Sequence, residues 1–171
     1  MIFYGKGEIV MTGIEREITD INKIENILSS ARVCRIALID GEYPYIIPLC
    51  FGYNLTGGKL EIYFRCEEKG KKMDIMKANS NAAFEIDKLH DIVKTDPACG
   101  FTAHYHSITG TGTIESITGV EKITGLNLLM KKYFGGTPES KYPETMLNSF
   151  AILKFTARKF CCKEHNPAPE E

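Results

Sequence analysis

The sequence lacks a charge imbalance. Its 171 residues carry 21 Lys and Arg against 22 Asp and Glu, a net charge of −1. Nothing in that balance favours nucleic acid or an anionic membrane, so an anion site has to come from local basic clusters. No apolar run approaches the ~20 residues that a membrane helix needs. The start MIFYGKGEIV has neither the apolar run nor the cleavage site of a secretory signal. These absences lead to the expectation of a cytoplasmic protein with no membrane and no nucleic acid among its partners.

Other absences narrow the chemistry. The six cysteines, Cys34, Cys50, Cys66, Cys99, Cys161 and Cys162, form no C-x-x-C pair and have no matching histidine spacing. In a cytosolic chain they read as reduced, mostly buried thiols acting as small hydrophobes. His104 and His106 share one face of an expected strand, but no carboxylate lies beside them in sequence, so no metal site is expected. His90 and His165 fall in apparent loops. There is no Ser-His-Asp order, no P-loop and no H-E-x-x-H. Gly110-Thr111-Gly112 does not lead a strand into a helix, which excludes a dinucleotide fingerprint. Neither an internal repeat nor a linker is visible, so residues 1–171 read as a single domain with its core at about 20–160.

What is present centres on residues 33–72. Three runs rich in Ile, Val, Tyr and Phe are interrupted by Asp40-Gly41-Glu42 and by Asn54-Leu55-Thr56-Gly57-Gly58-Lys59. Glycine supplies the positive φ of tight turns, so the pattern predicts three antiparallel strands near 33–39, 43–54 and 59–66. Pro44 and Pro48 donate no ladder hydrogen bond, so the second strand is bulged or lies at an edge.

The rest of the chain supplies flanking helices and more strands. Residues 1–19 read as an arm or short edge strand. Asp20 is a good N-cap for a helix to Leu28, with Ile21, Ile24, Ile27 and Leu28 on one face. Residues 70–79 read as a short helix stopped at Asn79, and 82–87 as a strand. A polar connection is expected over 88–98. Cys99 to Ile117 reads as a strand pair or one long bent strand, with Gly110 and Gly112 marking a corner. A helix follows from Gly119 to about Phe134, with a stripe at Val120, Ile123, Leu126, Met130, Tyr133 and Phe134, ended by Gly135-Gly136. Residues 137–148 read as a loop, 150–160 as the final strand and HNPAPEE as a disordered tail. The fold class expected is mainly β, a small antiparallel barrel with flanking helices.

One cluster stands out chemically. Lys69, Lys71 and Lys72 surround Gly70 where the third strand runs into a helix. Lysine at a helix start opposes the macrodipole. A bound phosphate offers a reason for it, because a helix start presents free N–H groups to an anion.

The same residues resemble a known family. Arg35-Ile36-Ala37-Leu38, the run Pro44-Tyr45-Ile46-Ile47-Pro48-Leu49-Cys50-Phe51-Gly52-Tyr53, Tyr63-Phe64 and Gly70-Lys71-Lys72 resemble the FMN-binding split barrel of the pyridoxamine 5'-phosphate oxidase superfamily. The segment CGFTAHYHSITGTGTIE at 99–115 is similar to a block of its nitroimidazole-resistance (Nim-type) branch. The resemblance spans about residues 30–135 and continues weakly to 160. It implies FMN at a homodimer interface, with Lys71 and Lys72 on the phosphate. Further cofactor contacts are implied for Arg35, Ile36, Ala37 and Leu38 in the first strand, Pro48 and Leu49 in the second, Phe64 and Arg65 in the third, and Ser107.

The implied activity is FMN-dependent reduction of a small electrophile such as a nitro-aromatic, with NADH or NADPH as donor. A pyridoxamine 5'-phosphate oxidase-type oxidase and a non-catalytic flavin-binding module are the alternatives. No catalytic residue is fixed, and Arg65 is the candidate. Nim-type relatives usually carry a histidine where this chain has Arg65. A histidine titrates near neutrality and arginine does not. A permanent cation beside the ring would favour negative charge on the reduced flavin or hold an acidic substrate group.

Overall fold

The computed structural model describes residues 16–94, 96–136 and 142–166. Seven antiparallel strands form one sheet: β1 (Cys34–Asp40), β2 (Tyr43–Leu49), β3 (Phe51–Thr56), β4 (Lys59–Cys66), β5 (Asn81–Val93), β6 (Thr102–Ile117) and β7 (Ala151–His165). Their order is β2-β1-β5-β6-β7-β4-β3. The expected second strand is thus two strands on opposite edges of the sheet, joined through Cys50. That joint brings the edges together and curls the sheet into the expected barrel with flanking helices. Pro44 and Pro48 lie on β2, which among the described residues pairs only with β1, so the edge position explains both prolines. Gly41, Gly57 and Gly58 take positive φ in the two hairpins, as their sequence context predicts.

Phe51, Phe64 and Phe155 fill the barrel with Ile36, Leu38, Ile62, Ile86 and Ile108, all buried. Helix α1 (Ile21–Ser30) begins at Asp20, whose carboxylate accepts a hydrogen bond from the Asn22 N–H at 2.8 Å. It buries Ile24, Ile27 and Leu28 against the barrel. Each such burial contributes about 1.5–3 kcal/mol. Ile21, expected on that face, is exposed instead, because it starts the helix beyond the packed turn.

Helix α2 (Lys71–Ala78) buries Met73, Ile75 and Met76, and the N–H of Asn79 closes its last turn on Ile75 O. Helix α3 (Gly119–Phe134) ends at Gly135, in the left-handed conformation at φ 79°. It buries Leu126 and Leu129, the latter outside the expected stripe, whereas Val120 and Ile123 in its first turns and Phe134 at its end are exposed. The expected stripe was right at its centre, where the helix crosses β3 and β4, and wrong where it overhangs them.

Three connections differ from expectation. Residues 88–93 are strand, not loop: β5 continues to Val93 against Thr102 of β6, with a register shift at Leu89/Asp91. The cross-strand ladder holds a segment whose polarity hides it. Within the expected loop of 137–148, Glu144–Leu147 forms a short helix, α4. Strand β7 runs on to His165. Ile18 N–H donates to Cys162 O at 2.9 Å, so the chain before α1 adds a short edge contact to β7. Expectations for residues 1–15, and for the tail from 167, lie outside the described residues. Of the six thiols, Cys34 and Cys162 are buried, while Cys50 and Cys99 are exposed. Among the described residues no helix is long and apolar enough to cross a membrane.

Candidate functional site

The sheet register aligns the residues that matter. Residues directly opposite in antiparallel strands share a face. Pro48, Arg35, Glu85, Thr109 and Cys161 therefore make one row across β2, β1, β5, β6 and β7 on the outer face. The next row holds Ile46, Ala37, Ala83, Thr111 and Lys159. Ala37, Ala83 and Thr111 are small, so the middle of this face has few protruding side chains. Asp87 and Ser107 face each other one step along the same side.

Arg35 anchors this platform. Its Nη1 donates to Glu85 Oε2 at 2.8 Å and to Asp87 Oδ1 at 2.5 Å. Hydrogen bonding to these two carboxylates holds the guanidinium charged even more firmly than usual. Burial pushes the Glu85 carboxyl up, while Arg35 pulls it back. The result is a cation fixed in place rather than a free surface arginine. Sequence reading singled out Arg35 but missed its acidic partners. The alternation Glu85-Ile86-Asp87 was the available signal, since it puts both carboxylates on one face.

The basic cluster forms a second part. Gly70 precedes α2 at φ 118° and ψ 170°, in a region that side-chain-bearing residues avoid. No side chain caps this helix start. Lys71 Nζ lies 2.7 Å from Asp40 Oδ2 and 5.0 Å from the centre of the Tyr45 ring. Hydrogen bonding to Asp40 pushes the Lys71 ammonium up. Lys72 has no ion pair among the described residues. Burial pushes the Cys66 thiol up, and the charges of Lys72 and Arg65 pull it down, which places both cations at this end of β4. The Arg65 guanidinium stands 4.5 Å over the Phe150 ring.

The expected residues therefore fall into three groups. Arg35, Ala37, Pro48 and Ser107 share the outer platform. Lys71 and Lys72 open α2, and Arg65, near the end of β4, turns its guanidinium over Phe150 and not towards Arg35. Ile36, Leu38 and Phe64 point into the core at 1%, 1% and 0% exposure, and Leu49 packs half-buried against it. Only the backbone of the three core residues is open to a ligand. Arg35 and Asp40 are five residues apart in β1, so the platform and the Lys71 end are separated by on the order of 17 Å of strand.

A curled antiparallel sheet whose edges join through one residue, with a basic helix start at one end, is a split barrel. The chain belongs to the pyridoxamine 5'-phosphate oxidase family, whose model matches residues 20–161. No curated protein matches the sequence. Among solved structures, one described as a candidate 5-nitroimidazole antibiotic resistance protein from Bacteroides thetaiotaomicron is 24% identical with a TM-score of 0.72, covering 86% of this chain and 85% of that one. The FAD and heme binding protein from Mycobacterium smegmatis is 19% identical with a TM-score of 0.78, over 91% of this chain and 76% of that one. The flavocytochrome Anf3 from Azotobacter vinelandii is 16% identical with a TM-score of 0.75, over 92% and 72%. These likenesses show that the fold is shared, the fold of the nitroimidazole-resistance type included.

Proposed function

We propose that the protein binds FMN and uses it to reduce a small electrophile, with a nitro-aromatic as the substrate class. The observation that carries this reading is the start of α2. An uncapped helix N-terminus, a glycine with open space around it and a Lys72 with no ion pair among the described residues lie together at the start of α2. That donor set fits a phosphate. Family membership and the flavin-binding relatives support a flavin as the cofactor, and the choice of FMN rests on the sequence resemblance.

The remaining residues fit the rest of FMN. A planar ring joined by a chain to a terminal phosphate is long enough to address two separated clusters. The Ala37, Ala83 and Thr111 surface leaves room for a flat ring, and Arg35 and Ser107 offer donors beside it. When bound, the flavin supplies hydride transfer from a nicotinamide donor to the substrate; the protein binds, orients and limits access. Lys72 and the first N–H groups of α2 hold the phosphate. Lys71 divides its charge between Asp40 and the ligand. Glu85 and Asp87 keep the Arg35 donor aimed, so its charge does not swing away when substrate enters. A second copy of the chain completes the site, as the superfamily resemblance implies. Sedimentation of the loaded protein at micromolar concentration is expected to give a dimer, and a loaded monomer would remove the two-subunit site.

One experiment separates this reading from an oxidase and from a non-catalytic flavin protein. The purified protein is expected to carry a yellow cofactor with the mass of FMN. NADH or NADPH should bleach it without oxygen, and a nitro-aromatic should restore the colour. Oxidation of pyridoxamine 5'-phosphate with reduction of the flavin would favour the oxidase. A flavin that none of these reagents changes would leave the binding module.

A further inference from the structure

Lys88, His106 and Glu164 stand opposite one another across β5, β6 and β7. They share the face of Ile86 and Ile108, because side chains alternate along a strand. Asp87 and Ser107, their neighbours, face the other way, towards the Arg35 platform. This row thus lies on the reverse side of the sheet from the proposed flavin surface. Helix α1 passes near it, leaving a cavity of about 420 Å³ lined by Ile18, Ile27, Lys23, Lys88, His106 and Glu164, among others, with Glu164 paired to Lys23.

The polar groups here are incompletely satisfied. His106 is 9% exposed, and its Nε2 is buried with no hydrogen-bond partner. Its other nitrogen, Nδ1, lies 3.0 Å from His90 Nε2. The His90 ring packs between His106 and His104, at centroid distances of 4.6 and 4.7 Å. His104 Nδ1 reaches Asp91 Oδ1 at 3.2 Å, and Lys23 Nζ reaches Glu164 Oε2 at 3.4 Å. Lys88 has no ion pair among the described residues.

Burial, with the nearby His90 and Lys88, pulls the His106 pKa below its ordinary value; Glu164 opposes them and His104 adds weakly. A neutral His106 that accepts at Nδ1 carries its proton on Nε2. In that tautomer the cavity wall carries a buried N–H donor from His106, beside Lys88 and an apolar wall of Ile18 and Ile27. No trio of His, Cys, Asp or Glu among the described residues is arranged for a metal ion.

We propose that this cavity binds a small organic monocarboxylate, with its carboxylate between His106 Nε2–H and Lys88 and its apolar body against Ile18 and Ile27. An inorganic anion would leave the apolar wall unused. A dicarboxylate would place its second charge near Glu164. A neutral ligand would leave Lys88 unanswered. The volume falls in the range of small-molecule sites.

The test uses benzoate and the full chain with isotope-labelled histidine, read by NMR. Benzoate at millimolar concentration is expected to shift the His106 and His90 ring signals saturably, and benzyl alcohol is not. Lys88→Met should weaken benzoate binding about tenfold. His106→Phe should abolish it while leaving the flavin content unchanged. Lys88 is exposed, so its variant preserves the test if His106→Phe misfolds. Unmoved ring signals, an equal response to benzyl alcohol, or full affinity in Lys88→Met would each overturn the proposal. The NMR readouts are independent of the flavin.

Discussion

Lys71 Nζ is 2.7 Å from Asp40 Oδ2, while Lys72, the next residue, faces no carboxylate among the described residues. Two adjacent lysines at one helix start thus differ in what an arriving anion would find. One must share its charge; the other is free to give it whole.

Lys72→Ala is therefore expected to weaken FMN binding about tenfold, the usual effect of losing one charge-assisted contact. Lys71→Ala should weaken it less, because Asp40 already absorbs part of that charge. Fluorescence titration of FMN into apoprotein measures both. Unchanged affinity in the double variant would show that the phosphate lies elsewhere.

Arg65 lies near the end of β4, a few residues before Lys72, with its guanidinium over Phe150 and away from Arg35. Arg65→Ala should accordingly lower FMN affinity severalfold and leave the reduction potential of the bound flavin nearly unchanged. Arg65→His should retain FMN. A shifted potential with intact affinity, or a new pH dependence of flavin reoxidation in Arg65→His, would move Arg65 to the ring as the sequence resemblance implies.

Gly112→Ala tests the tightest strand contact. A Cβ at Gly112 would lie 2.0 Å from Thr156 O, beside the register shift between β6 and β7. The three nearest atoms are all β7 backbone, at Thr156 and Ala157, so nothing flexible is there to yield. The substitution should cost about 1–3 kcal/mol or more in denaturant unfolding. Gly136→Ala, with open space around the same atom, should stay within about 0.5 kcal/mol. Equal stabilities would contradict the β6–β7 register.

Lys132 gives a pH-dependent prediction. Its ammonium donates to the carbonyls of Leu28 and Ser29 at the end of α1 and stands 4.4 Å over the Phe51 ring. Burial pulls its pKa down to about 8 from an ordinary 10.5; Arg32 adds to this and Glu25 opposes it. Between those values the unfolded chain keeps a proton that the folded chain has released. Stability therefore rises with pH through this window, and the cost of the buried charge is felt in full below it. Lys132→Met has no such proton. The wild type should gain on the variant between about pH 8 and about pH 10 in paired denaturant curves. Parallel pH profiles would refute the shift.

The features legible in the sequence were those written in local chemistry. Glycine turns marked the hairpins, Asp20 marked the first helix, and the Gly70-Lys71-Lys72 run marked the start of α2. Contacts that depend on register were hidden. Arg35 and Asp87 are 52 residues apart, and only the β1–β5 pairing brings them together. His90 read as a loop residue because residues 88–93 show little apolar alternation, although the β6 ladder holds them as strand. Val120 and Phe134 matched a helical period, but periodicity says nothing about where a helix overhangs its sheet.

The seam at Cys50 has a consequence for self-association. Unpaired strand edges are templates for other chains. Here the two edges, β2 and β3, are tethered within one residue of each other, so neither can swing out as a long flat ledge. Two prolines roughen one of them further. A nick at Cys50 would free both ledges while deleting no side chain. The peptide link there guards solubility in a way that no tally of interior contacts would register.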